Sequence, residues 1–301
     1  VFVINAMLRG AGEARQAMNV LVLATATTVV LQPVLIVGVG PIPGLGVAGA
    51  ALAYALGYGV GLLLQLWLLL GGRSRLRLNL RDLRPDFPLM GRVVRIALPS
   101  TIQMSLRASS RLAIMWLVGL YGTYTIAAYG VANRLLMIAL IPCFGLGNVA
   151  GTLVGQNLGA HKPGRAERSA WWVSGYSGAY MVAVAATIVI FAPSLIAIFD
   201  PTPEVVAIGT QCARIIAPSL ILNSIGVVLS RGFAGAGNTI PPMTINLLTL
   251  WILEVPLAYG LAQVAGLGVL GIWLGRAAAN MANGLAFAIW FKRGKWKERE
   301  V

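Results

Sequence analysis

Charged side chains that lie inside long apolar stretches are the best candidates for chemistry in this 301-residue sequence. In the part of the chain that follows residue 95 they are Arg107, Arg111, Arg134, Arg214, Glu254 and Arg276. An ion in the middle of a hydrocarbon layer costs at least about 2.5 kcal/mol, so such residues are expected to have a partner or a role. Glu254 is the only carboxylate among them, and Arg276 is the arginine closest to it in sequence.

Glu254 and Arg276 are predicted to lie at similar depths on consecutive antiparallel helices. At 1.5 Å per residue, Glu254 lies roughly 15–20 Å and Arg276 roughly 20–25 Å from the same end of the pair, which allows a direct ion pair. The two side chains could form a structural bridge, or Glu254 could bind a cation or carry a proton. Burial favours the neutral acid and a nearby arginine favours the carboxylate, so the sequence leaves both interpretations open.

Other kinds of chemistry are poorly supported by the sequence. Cys143 and Cys212 stand far apart in apolar stretches and His161 is the only histidine, so we predict no metal site and no catalytic residues. The segments GLGVAG and GLGVLG match a dinucleotide-binding pattern, but neither opens a helix after a strand. The net charge of +14 is spread over short loops, which argues against nucleic-acid binding.

The composition indicates an all-α integral membrane protein. Hydrophobic residues make up 58% of the chain and the mean hydropathy is +0.81. Apolar stretches of about 20 residues are long enough to cross a bilayer as helices. After a short apolar stub at Val1–Leu8, we predict about eight full crossings, at approximately residues 18–39, 46–70, 96–120, 124–148, 170–198, 205–229, 244–264 and 269–291.

An arginine-rich segment, Gly71–Arg95, divides the chain into two parts that resemble each other. GAG triplets begin at Gly10 and Gly235, and GLGV quartets begin at Gly44 and Gly266, at nearly the same separation. We therefore predict parallel six-helix repeats in a two-lobe transporter. Residues 1–71 would be the distal part of the N-terminal lobe (the end of helix 4 and helices 5 and 6), 72–95 a cytoplasmic interlobe linker, and 96–301 the C-terminal six-helix lobe. Basic residues occupy alternate loops, which also predicts a cytoplasmic C-terminus.

A series of glycines recurs every four residues in GNVAGTLVGQNLG. Its members are Gly147, Gly151, Gly155 and Gly159. Four-residue spacing places them on one helix face, where a neighbouring backbone can approach closely. We predict a helix-packing motif, with a direct ligand role as the alternative.

The segment GTLVGQNLGAHKPGRAERSAW, at residues 151–171, resembles the multidrug and toxin extrusion (MATE) family. The resemblance extends to residues 97–122, to FDPTPEVV at residues 199–206 and to the paired GAG turns. It implies twelve helices in two lobes and the export of drugs in exchange for protons or sodium ions. The present chain would then lack the first three helices and most of a fourth.

From this resemblance we expect an ion-coupled antiporter for small organic, often cationic, compounds, with no cofactor beyond H⁺ or Na⁺. The candidate substrate- or ion-coupling residues are Glu254, Arg276, Gln103, Arg107, Arg134 and Asn133. Sodium-coupled members of one branch use acidic residues in the first and fourth helices of the C-terminal lobe. The corresponding predicted helices contain none, so we expect no sodium site of that type.

We expect a monomer that crosses the inner (plasma) membrane several times, with lipid and small-molecule substrates as its partners. The excess of arginine within the spans keeps a second interpretation open, a flippase or exporter for a lipid-linked or anionic substrate. A membrane-embedded lipid enzyme would need clustered histidines or acids, and a channel would need a charged ring or filter loop. The sequence shows neither pattern.

Overall fold

A computed structural model of the chain describes residues 1–39, 42–71 and 86–298, in which helices account for nearly all of the secondary structure. The predicted all-α class is confirmed. Over these residues, the extended pairing is limited to a two-residue antiparallel ladder between β1 (Gly38–Val39) and β2 (Ile42–Pro43). The chain forms two compact units, Val1–Asp86 and Phe87–Val301.

The first unit contains α1 (Phe2–Gly10), α2 (Ala14–Val37) and α3 (Gly46–Leu70). Helices α2 and α3 pack through small residues spaced every four positions along α3. A Cβ atom at Gly49 would lie 2.1 Å from the carbonyl oxygen of Leu35, and one at Gly57 would lie 2.8 Å from that of Ala24. The absence of side chains at these positions therefore lets the two backbones approach closely.

The described residues of the second unit form six long helices. They are α4 (Phe87–Gly119), α5 (Thr123–Gly159), α6 (Pro163–Ala197), α7 (Pro203–Gly235), α8 (Ile240–Val264) and α9 (Val269–Lys292). A short 3₁₀ turn at Lys295–Glu298 follows. Helix α7 lies at the centre, where it packs against α5, α6 and α9. Helix α8 is irregular, because Leu247–Glu254 and Gly260–Val264 adopt π-helical hydrogen bonding.

Among the described residues, six helices are long and apolar enough to cross a membrane: α2, α3, α5, α6, α7 and α8. Helices α4 and α9 coincide with the other two predicted crossings; arginines make α4 more polar, and an arginine and two asparagines make α9 more polar. Helix α4 begins at Phe87 rather than at Ile96, so residues 87–95 of the predicted linker are helical. Residues 72–85 of that linker lie outside the described part of the chain.

The connections of the second unit that contain basic residues lie at one end of its helices, and the connections at the other end are uncharged or acidic. At one end, Lys297 forms a 2.5 Å salt bridge with Glu167, which joins the C-terminal residues to the start of α6. At the other end, the hydroxyl of Tyr121 donates to the carbonyl oxygen of Ala262 at 3.2 Å, which joins the α4–α5 turn to the end of α8. This separation of charge is the pattern that loops on the two sides of a membrane display.

The glycine series of α5 packs against α7 at three of its four positions. Cβ atoms at Gly147 and Gly151 would meet Arg231, and one at Gly155 would lie 3.0 Å from the carbonyl oxygen of Gly235. Gly159 faces open space, because no described atom of another helix lies within 4 Å of the place that its Cβ would occupy, so the packing prediction does not hold there. The contact is reciprocal, since a Cβ at Gly235 would lie 2.1 Å from the carbonyl oxygen of Gly151.

We predict that Gly235→Ala destabilises the second unit, because the added methyl group would force the backbones of α5 and α7 apart. Overpacking of this kind costs about 1–3 kcal/mol. The measurement is the thermal midpoint of the purified protein in detergent. Gly159→Ala is the matched control and should leave the midpoint unchanged or raise it slightly, because alanine favours a helix over glycine by about 0.5–1 kcal/mol. Equal midpoints for the two variants would contradict this account of the contact.

Candidate functional site

A polar cavity of about 90 Å³ lies inside the otherwise apolar second unit, between α4, α5, α7, α8 and α9. Its charged lining residues are Arg107, Arg111, Glu254 and Arg276. Glu254 is buried, Arg107 and Arg276 are partly buried and Arg111 is exposed. A charge that is removed from water is costly without compensation, so the groups around these residues determine what the cavity can bind.

Glu254 is buried, with 7% of its surface exposed, and lies at the end of a π-helical segment of α8. The hydroxyl of Ser110 donates a hydrogen bond to Glu254 Oε2 at 3.2 Å. Within the described residues, no nitrogen of Arg276 comes within 4.0 Å of the carboxylate, the limit for a salt bridge. The direct ion pair that sequence spacing allowed does not form, although both residues line the same cavity.

Arg276 instead contacts neutral groups on α5. Its Nη1 donates to the hydroxyl of Tyr129, and its Nη2 donates to Asn133 Oδ1 at 2.9 Å. Its guanidinium carbon lies 5.4 Å from the centre of the Tyr129 ring, which in turn stacks on Trp273 at 5.6 Å. These contacts fix the position of the positive charge without cancelling it.

Asparagines form two further hydrogen-bonded groups on the cavity wall. Asn283 Nδ2 donates to Asn246 Oδ1 at 3.1 Å and to Thr249 Oγ1 at 2.7 Å. Arg107 Nη2 also donates to Asn246 Oδ1, at 3.4 Å. The second group is centred on Asn280, and links α9 to α7.

Several polar residues of the site were not identified from the sequence, although their spacing carries a signal. Arg276, Asn280 and Asn283 stand at positions i, i+4 and i+7, so they share one face of α9. On α4 the corresponding polar stripe includes Ser110, which stands seven residues after Gln103. Such a stripe on an apolar helix predicts polar partners opposite it, but it does not say which partners.

The remaining predicted coupling residues divide between the site and its surroundings. Asn133 lines the cavity, and Arg107 lines both this cavity and an adjoining one of about 370 Å³. Gln103 lines the larger cavity and donates to Ser230 Oγ at 3.1 Å. Arg134 lines neither; its guanidinium carbon lies 5.8 Å from the centre of the ring of Phe199, which belongs to the acidic connection between α6 and α7.

Comparisons with known proteins agree with this architecture. The MatE family model matches residues 99–260. The protein named "Probable multidrug resistance protein YoeA" from Bacillus subtilis is 26% identical over 306 residues, which cover 100% of this chain and 65% of that protein. "Probable multidrug resistance protein NorM" from Thermotoga maritima is 28% identical over 305 residues, which cover 99% of this chain and 64% of that protein.

A solved structure shares the fold. It is an outward-facing conformation of a multidrug resistance MATE family transporter of the MOP superfamily, with a TM-score of 0.90 at 24% sequence identity. The match covers 99% of this chain and 66% of that one. The chain thus spans about 65% of the length of the curated relatives named above.

We predict that Tyr129→Phe destabilises the second unit, because it leaves a partly buried N–H group of Arg276 without its acceptor. A buried donor without a partner costs about 1–3 kcal/mol. Thermal denaturation of the purified protein measures the effect. Tyr124→Phe is the control, because Tyr124 lies on the same helix with 56% of its surface exposed. A midpoint for Tyr129→Phe no lower than that of Tyr124→Phe would show that this hydrogen bond contributes nothing.

Proposed function

The chain belongs to the MatE family, and we propose on this basis that the whole protein is an ion-coupled antiporter that exports small organic compounds. The names of two relatives, each called "Probable multidrug resistance protein", support an assignment to drug efflux. The observation that carries the proposal is the buried carboxylate of Glu254 in a polar cavity within an apolar bundle.

Glu254 is proposed as the coupling group because no salt bridge with a described residue neutralises it. An ionised carboxylate in a water-poor interior is strongly disfavoured, so it gains from binding a proton or a cation. The hydrogen bond from Ser110 holds the carboxylate in place without removing its charge. Exchange of the driving ion, either H⁺ or Na⁺, for a cationic substrate at this group would couple the movement of the ion to that of the substrate.

The two adjoining cavities suit a division of roles between ion and substrate. The 90 Å³ cavity around Glu254 has room for about three water-sized groups, at roughly 30 Å³ each. The neighbouring 370 Å³ cavity falls within the range of about 300–1,000 Å³ that holds small organic ligands. Arg107, Arg111, Phe144 and Val227 line both, so a substrate in the larger cavity would lie next to the coupling group.

We propose that transport proceeds by alternating access, with the two lobes of the whole protein rocking about the binding region. Helix α8 suits this change, since π-helical segments are frequent at functional sites. A change from π to α hydrogen bonding in Leu247–Glu254 would rotate Glu254 about the helix axis. We further propose that the basic end of the second unit, with the C-terminus, faces the cytoplasm, and that the protein acts as a monomer in the inner membrane.

We predict that Glu254→Gln abolishes efflux of a cationic fluorescent dye by cells that express the whole protein, because glutamine keeps the shape of the side chain but cannot exchange a proton. The measurement is the rate of dye loss under an imposed proton or sodium gradient, with membrane abundance checked by immunoblot. Glu167→Gln is the matched control, since Glu167 is paired with Lys297 and lines neither cavity. Normal efflux by Glu254→Gln at normal abundance would remove Glu254 from the mechanism.

A second candidate function is the export or flipping of an anionic or lipid-linked substrate. It is favoured by the charge of the cavity, whose lining includes three arginines and one carboxylate. An excess of positive charge attracts anions.

Efflux of anionic and cationic dyes of similar size, measured in the same cells, separates the two functions. The antiporter of cationic compounds should clear the cationic dye, and clearance should depend on Glu254. An anion exporter should clear the anionic dye instead, and Arg111→Gln should then slow clearance because it removes a positive charge from the cavity wall. Translocation of a labelled lipid precursor without efflux of either dye would identify a flippase.

A further inference from the structure

We propose that the wall of the polar cavity formed by Arg107 and Asn246 binds a small monovalent anion, either a free inorganic anion or the carboxylate of an organic molecule. Both residues line the cavity. Two donor atoms there, Arg107 Nε and Asn246 Nδ2, are buried and have no hydrogen-bond partner in the described part of the chain. An unpaired buried donor costs about 1–3 kcal/mol, so a ligand that accepts hydrogen bonds is favoured at this position.

The orientation of the Asn246 amide is fixed by a chain of hydrogen bonds. The hydroxyl of Thr249 donates to the carbonyl oxygen of Ile245 at 2.7 Å, so it accepts from Asn283 Nδ2. Asn283 therefore presents its NH₂ group to Asn246, which must accept through Oδ1. Rotating the Asn246 amide by 180° would bring its NH₂ group against the donors of Asn283 and Arg107. The hydrogen bonds of Thr249, Asn283 and Arg107 together therefore leave the NH₂ group of Asn246 without an acceptor.

Asn246 is fully buried, with 0% of its surface exposed, so bulk water does not satisfy its free donor. The other half of the site is the guanidinium of Arg107, whose contact with Asn246 Oδ1 is a long one of 3.4 Å. That contact leaves Nε free. Arg107 lies on α4 and Asn246 on α8, and both line the cavity. Guanidinium and amide N–H groups can only donate hydrogen bonds, so these two free groups favour an anion over a cation.

The charge around the site points to the same class of ligand. Arg111 also lines the cavity, and its Nη2 contacts the sulfur of Met137 at 3.8 Å, which is a weak acceptor. Arg276 is held by the neutral side chains of Tyr129 and Asn133. Among the described residues of the lining Glu254 is the only acid, so one bound anion would reduce an excess of positive charge.

The cavity has the size for such a ligand. A volume of about 90 Å³ holds a halide or a carboxylate group but not an organic molecule of drug size. Because Arg107 also lines the 370 Å³ cavity, an organic molecule in the larger space could place its carboxylate against Arg107 and Asn246. As a substrate subsite this assignment rests on the proposed transport function, whereas anion binding itself does not.

The test measures the thermal midpoint of the purified whole protein in lipid nanodiscs, in sodium chloride, in sodium acetate or in the sodium salt of a bulky sulfonate without a carboxylate as the reference, at constant ionic strength. Chloride, acetate or both should raise the midpoint by about 3 °C at ten times the dissociation constant. A shift with chloride alone identifies an inorganic anion site, and a shift with acetate identifies a carboxylate subsite. No shift with either anion overturns the proposal.

Asn246→Asp is the decisive variant, because it keeps Oδ1 and replaces the free donor with a negatively charged acceptor. It should lose the anion-dependent shift. Asn148→Asp makes the same chemical change on α5 at a residue that lines neither cavity, and it should keep the shift. Retention of the shift by Asn246→Asp would place the anion elsewhere and overturn the assignment.

If Asn246→Asp does not fold, anomalous scattering from crystals of the unmodified protein grown in sodium bromide tests the position of the bound anion. A bromide peak within hydrogen-bond distance of Arg107 Nε and Asn246 Nδ2 supports the site, and peaks confined to other places overturn it. Whether the anion binds does not depend on whether Glu254 couples ion movement to substrate movement. Loss of efflux in Glu254→Gln without any anion effect overturns only the anion site, and anion binding with normal efflux in Glu254→Gln overturns only the coupling role.

Discussion

The structure of the second unit depends on the cost of placing polar and charged groups where water cannot reach them. Each helix satisfies its own backbone hydrogen bonds, so the cost falls on a small number of side chains. These side chains are concentrated in one place between α4 and α9, where Ser110 contacts Glu254 and Tyr129 contacts Arg276. Most of them have protein partners, and the donors that do not have one mark where a ligand would be most favourable.

Close packing of backbones makes such a concentration possible. Helix α7 lies at the centre of the second unit because glycines let its neighbours approach it. A Cβ atom at Gly284 of α9 would lie 2.1 Å from the carbonyl oxygen of Leu222, and Gly235 makes the equivalent contact with α5. With α5 and α9 both held against α7, Arg276 on α9 reaches Tyr129 and Asn133 on α5. The same close packing leaves little free volume, which explains why the polar cavity is small.

Helix α4 is attached to the rest of the unit in a different way. Its contacts with α7 and α8 include hydrogen bonds from Gln103 to Ser230 and from Trp251 to the carbonyl oxygen of Leu106. Polar contacts of this kind can be exchanged for others of similar energy, whereas interlocked backbones cannot separate without opening a gap. Helix α4 lines both cavities, so a movement of α4 would change the access to both.

The sequence by itself determined the class of fold, the approximate position of each helix and the family. Hydrophobic length fixes the number of spans, and a polar residue in such a span is visible without any structure. It also predicted that Glu254 and Arg276 lie at comparable depth, because rise per residue converts sequence position into depth, and the two residues line the same cavity. Only the tertiary structure decided that Glu254 contacts Ser110 and that Arg276 contacts Tyr129. Partners across helices depend on how each helix is rotated about its axis, and in α8 the π-helical segments shift that rotation away from the value that regular spacing predicts. The same reason applies to Gly159 and to the free donor of Asn246, whose surroundings come from other helices and not from their own sequence neighbours.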